Sequence, residues 1–189
     1  MPASWVARRG PGLIVLYGVL VAAAIGIDAV LHSLGMVWVG RWLGPVGTGL
    51  IVVSFAYSLR KRGLLRVGSP RHLLRAHEAL AWTGALALLV HAGVHFHALL
   101  PWLAIAAMLV AVASGLIGEF LLSGARSRLT AREQELRGSG IDEGEVENRL
   151  YADALVVRAI EAWRVVHLPI ALNFAVLAFL HIVTILVFT

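Results

Sequence analysis

The chain has 189 residues, of which 59% are hydrophobic and only 14% charged, against roughly 25% charged in an ordinary soluble domain. No soluble domain of this size hides so much apolar surface, so the composition points to an integral membrane protein, with room at roughly 20 residues per span for only a handful of helices. The absence of cysteine excludes disulfides, cysteine-ligated iron–sulfur clusters, covalently attached c-type haem and thiol catalysis, and the formal charge of +5 reads as Arg-rich cytoplasmic loops rather than as a nucleic-acid surface.

Five apolar stretches are each long enough to cross about 30 Å of hydrocarbon. In chain order they run from about Gly12 to Leu31, Val37 to Leu59, Leu73 to Leu99, Trp102 to Leu122 and Val165 to Phe188. The first is too long for the apolar core of a typical signal peptide and has no convincing small-residue cleavage site, so it reads as a retained span. The expected fold class is therefore all-α, an integral membrane bundle of about five transmembrane helices forming a single domain over residues 1–189.

The hydrophilic connections orient it. Arg8 and Arg9 precede the first span, and Arg60, Lys61, Arg62, Arg66, Arg71 and Arg75 lie around the second connection with no acid up to Arg75. The connection over residues 123–164 carries Arg126, Arg128, Arg132, Arg137, Arg149, Arg158 and Arg164, leaving only Arg41 on the opposite side. The bias of positive charge toward the cytoplasm then places the N-terminus and both of these connections inside, and the C-terminus outside. The connection over residues 123–164 also holds eight acids. It reads as two helices, one from Arg126 to Leu136 and one from Glu143 to Trp163 merging into the fifth span, with Gly138 to Gly140 between them. Such a charged hairpin is either a solvated face or a docking surface for a cytoplasmic subunit.

Histidine carries the chemistry. His77 and His91 lie in the third span, His167 and His181 in the fifth, and both intervals are 14 residues. In a helix 14 residues rise about 21 Å and fall about 40° short of four full turns. Each pair thus shares one face, with one member near each membrane surface. The third and fifth spans run parallel, so His77 and His167 share the inner depth, and His91 and His181 the outer. Histidine inside a membrane is rare and functional by default. Two neutral imidazoles from opposite helices suit a six-coordinate haem, whose iron takes one axial ligand on each face. His91 is preferred to His95 because only His91 matches the interval of the fifth span. Gly84 and Phe174 lie midway between the members of each pair. They read either as a spacer between two cofactors or as ordinary small-residue packing.

Paired histidines 14 residues apart on two parallel spans resemble the dihaem cytochrome b proteins of respiratory membranes. Their placement on the third and fifth spans most resembles the membrane domain shared by ferric reductases and NADPH oxidases. The resemblance covers about Arg71 to Leu122 and Trp163 to Phe188. That group usually has six spans, where five are expected here, and often carries a flavin and nicotinamide domain after the bundle, which is not expected after this one. It implies two b-type haems and electron transfer across a membrane of bacterial cytoplasmic type. The chain would act as the membrane subunit of a quinone-linked respiratory oxidoreductase, beside an iron–sulfur, flavin or cytochrome partner. Two other readings stay open: a stand-alone reductase for an external acceptor, and a transporter or anchor that uses its histidines for protons or metal.

Arg71, Arg75 and Arg164 sit at the inner histidine level and are candidate partners for haem propionates, because the guanidinium fork matches a carboxylate. Arg41 is the outer candidate. Asp28 and His32, four residues apart, share a helix face and form either a proton relay or a wet interfacial pair. His95 and His97 are candidates for a propionate or quinone contact, or are solvated. Trp38, Trp42, Trp102 and Trp163 read as interface anchors, and Pro169 as a kink that aims His167.

Overall fold

The computed structural model describes residues 3–64, 66, 68–93 and 99–188. Six helices account for nearly all of them: α1 Ala3–Ser33, α2 Val37–Ser54, α3 Ala56–Lys61, α4 Pro70–Ala92, α5 Leu99–Gly138 and α6 Glu143–Phe188. No strand occurs among the described residues. Five segments are long and apolar enough to cross a membrane: Pro11–Ser33, Val37–Lys61, Arg71–Ala92, Leu99–Gly118 and Val165–Phe188. The protein is an all-α helical bundle of membrane-spanning type. Large apolar side chains such as Val19, Ile25, Val176, Phe179 and Leu186 stand exposed along these spans, as lipid contact requires. Trp38 and Trp42 are also exposed, at the start of α2.

Local chemistry sets the helix ends. Ser69 caps α4, its hydroxyl accepting the His72 N–H at 3.3 Å with Pro70 in the first turn, and so satisfies a donor that a helix start leaves open. The third span stops at Ala92, short of the Leu99 expected from hydropathy. Gly93 takes φ 53° there and returns its N–H to the Leu89 carbonyl, a left-handed ending that hydropathy does not reveal. The second span is two helices, with Phe55 between them. The expected helix from Arg126 to Leu136 is the unbroken continuation of the fourth span in α5. Gly140, at φ 71°, then turns the chain. Asp142 accepts the Gly144 N–H at 3.1 Å at the head of α6, whose first turn carries Glu143 and Glu145; acids there complement the helix dipole. α6 continues through Pro169 as one helix.

The chain clusters into two compact units. One comprises Met1–Tyr17 and Ala113–Leu172, the other Gly18–Val112 and Asn173–Thr189. In the first, the distal half of α5 and the proximal half of α6 form a hairpin. Leu122, Ala125 and Val157 are buried along its seam. Arg126 pairs with Glu161, Arg132 with Asp153 at 3.0 Å, and Arg137 with Glu143 at 3.4 Å. In the second unit, Leu20, Ala85, Met108 and Phe174 form the core, with Trp82 packed against it.

Candidate functional site

α2 and α4 pack against each other as an antiparallel pair in the second unit. Three contacts fix their register. Ser54 meets His77, Gly47 meets Gly84, and Gly40 meets His91. Each step is seven residues along both helices, close to two turns, so the histidine face of α4 is the face turned toward α2.

Both imidazoles of α4 are held the same way. His77 Nδ1 lies 2.9 Å from the Ser54 carbonyl oxygen. His91 Nδ1 lies 2.9 Å from the Gly40 carbonyl oxygen. A carbonyl only accepts, so in each case Nδ1 carries the proton and Nε2 is left as the basic nitrogen. The His77 ring also stacks on Tyr57 of α3, with centroids 5.6 Å apart and planes at 30°. The His91 ring rests on the bare backbone at Gly44. A methyl group there would stand 2.7 Å from both Cε1 and Nε2 of the ring.

Gly84 serves the same crossing. A Cβ at Gly84 would meet Ile51 at 2.9 Å and the Gly47 carbonyl at 3.1 Å. The clearance it provides is filled by α2. The α4 residue in the same buried cluster as Phe174 is its neighbour Ala85, which is fully buried. Small-residue packing thus accounts for Gly84, and Phe174 is a core residue, 7% exposed.

In the first unit His167 has an equivalent seat on α5. Its Nδ1 lies 3.2 Å from the Ser114 hydroxyl, and Ser114 is 2% exposed. A Cβ at the adjacent Gly115 would stand 3.6 Å from His167 Cε1. In the second unit His181 is half-buried on α6.

Arg71 and Arg75 lie exposed on the first turns of α4, and Arg164 lies on α6, though its side chain is outside the described residues. His95 and His97 also fall outside them. His32 Nδ1 pairs with the Asp28 carboxylate at 3.2 Å. Sequence reasoning missed Gly40, Gly44, Ser54, Tyr57, Ser114 and Gly115. The signal for two of them was present, since Gly40 and Ser54 lie seven residues either side of Gly47, the same step that separates His77, Gly84 and His91.

These donors fit a haem. An axial histidine coordinates through one nitrogen while the other gives its proton to a fixed acceptor that sets ring angle and basicity. His77 and His91 meet that requirement through α2 carbonyls, and the Ser114 hydroxyl can accept the same proton from His167. Among the described residues, no three His, Asp or Glu side chains converge as around a bare metal ion. Comparison with family models, with curated proteins and with solved structures returns no match.

Proposed function

We propose that this protein binds two b-type haems and carries electrons across a bacterial cytoplasmic membrane, as the membrane subunit of a quinone-linked respiratory oxidoreductase. The observation that carries the reading is the matched pair of 14-residue histidine intervals, with His77 and His91 both locked by α2 carbonyls so that Nε2 is free. His77, His91, His167 and His181 would hold the two haems, as the matched intervals imply. When bound, haem supplies reversible one-electron chemistry at iron.

The chain's own work is to hold and tune. The Ser54 and Gly40 carbonyls accept the Nδ1 protons and fix the rings. Gly44 admits the His91 ring against α2. Arg71, Arg75 and Arg164 offer charge to propionates at the inner level. Apolar spans exclude water, which stabilises the less charged oxidation state. The α5–α6 hairpin, with its mixed charges, is the surface for a redox partner.

Haem content and the reduced-minus-oxidised spectrum of the purified chain test this directly. Two haems per chain and a b-type α-band are expected. His181→Ala should lose one haem and keep the other. A dithionite-reduced sample with no α-band refutes the proposal and leaves His77 and His91 as staples between α2 and α4.

A further inference from the structure

The spans Val37–Lys61 and Arg71–Ala92 are joined by a short turn, which therefore stands at one face of the membrane, at the level of lipid headgroups. The end of α3 fixes its shape. The Gly63 N–H returns to the Arg60 carbonyl at 3.1 Å and the Leu64 N–H to the Leu59 carbonyl at 3.0 Å, with Gly63 at φ 76°, a Schellman ending. The Arg62 N–H bonds the Ser58 carbonyl at 3.2 Å. These backbone donors are used within the helix end, so the turn meets its surroundings through side chains.

Those side chains are of two kinds. Lys61, Arg62 and Arg66 are exposed, and no acid occurs between Arg60 and Arg75. Leu59 and Leu64 are 42% and 71% exposed. Arg60 is engaged otherwise, its Nε reaching the Gly68 carbonyl at 3.5 Å. The α5–α6 hairpin is built differently, because Arg126, Arg132, Arg137 and Arg149 each meet a carboxylate of this chain. Among the described residues no carboxylate pairs with Lys61, Arg62 or Arg66. Like charges crowded into one turn repel, and an anion from outside the chain relieves that repulsion. A free phosphate would meet the cations and leave both leucines in water. A phospholipid meets both, with its phosphate on the cations and its glycerol and upper acyl chain on the leucines.

We propose that this turn binds an anionic phospholipid of the adjoining leaflet. Arg62 and Arg66 present guanidinium forks to the phosphate oxygens, Lys61 adds a point charge, and Leu59 and Leu64 cover the glycerol end. The site is independent of haem, since it uses none of the four intramembrane histidines and neither Arg71 nor Arg75.

The test is native mass spectrometry of the full chain in non-ionic detergent, titrated with phosphatidylglycerol or with phosphatidylcholine of the same acyl chains. The first phosphatidylglycerol should bind at least tenfold more tightly than phosphatidylcholine, since each cation near an anionic lipid contributes about fivefold. The triple variant Lys61→Gln, Arg62→Gln, Arg66→Gln should lose most of that preference. Arg62→Lys with Arg66→Lys, which keeps the charge, should retain most of it. Arg149→Gln, in the hairpin, should bind as the parent does. No preference in the parent overturns the assignment and leaves the turn to an acidic segment of a partner protein. An unchanged preference in the triple variant, or an equal loss in Arg149→Gln, also overturns it.

Discussion

Gly44→Ala isolates the seating of His91 from every other role of α2. The new methyl would stand 2.7 Å from Nε2 and 2.8 Å from Nδ1 of the ring, closer than real side chains approach. An imidazole with nothing on Nε2 swings aside, at the cost of its bond to the Gly40 carbonyl, about 0.5–1.5 kcal/mol. Alanine returns up to about 1 kcal/mol of helix propensity, so the haem-free chain should unfold at nearly its original temperature. A ring tethered to iron has no such freedom. There the loss of the fixed acceptor should weaken haem retention about 10–100-fold, or about 1.4–2.7 kcal/mol. The assay is haem stoichiometry after stepwise detergent washing, with Gly49→Ala as control, because nothing lies within 4 Å of a Cβ at Gly49. Expected is one labile haem in Gly44→Ala and none in Gly49→Ala. Equal retention of both haems in the two variants refutes the role given to the Gly44 seat.

Gly47→Ala and Gly84→Ala press on the opposing backbone, since their Cβ atoms would meet the Gly84 and Gly47 carbonyls at 3.0 and 3.1 Å. Each should destabilise by about 1–3 kcal/mol with the double variant non-additive, read by thermal unfolding in detergent; additive losses argue against a shared crossing. Ser114→Ala removes the hydroxyl 3.2 Å from His167 Nδ1 and should loosen one haem about 10–100-fold. Its signature is a shift in that haem's midpoint potential with the other unmoved, and no shift in either removes Ser114 from the site. Asp153→Asn breaks the pair with Arg132, where half of the Arg side chain is exposed. It should cost under about 1 kcal/mol, and a larger loss in unfolding assays means the hairpin depends on charge more than on Leu122, Ala125 and Val157.

Much of the fold was legible because a membrane span is a one-dimensional signal. Length and hydropathy alone locate all five spans, and the Gly138 to Gly140 break separates α5 from α6. The end of α4 was not legible, because apolar residues continue past Gly93 and only its positive φ reveals the stop. The histidines were visible by type and interval. Their acceptors were not, because two are backbone carbonyls, at Ser54 and Gly40, and every residue but its side chain looks alike there. Gly84 was visible as a small residue on the histidine face, but sequence could not decide which neighbour filled its clearance. The Asp28–His32 pair was fixed by its four-residue spacing, since both partners sit on one helix.

The matched register of α2 and α4 also limits how this gene can change length. A single codon lost from the middle of either helix rotates everything beyond it by about 100°, parting Gly40 from His91 or Ser54 from His77 in one event. Only removal of about two turns from both helices together restores the match, and that shortens the pair by roughly 10 Å, too much for a span that must still cross the bilayer. Point substitutions are thus the tolerated route of drift in this part of the chain, while insertions and deletions are confined to the turns that flank it.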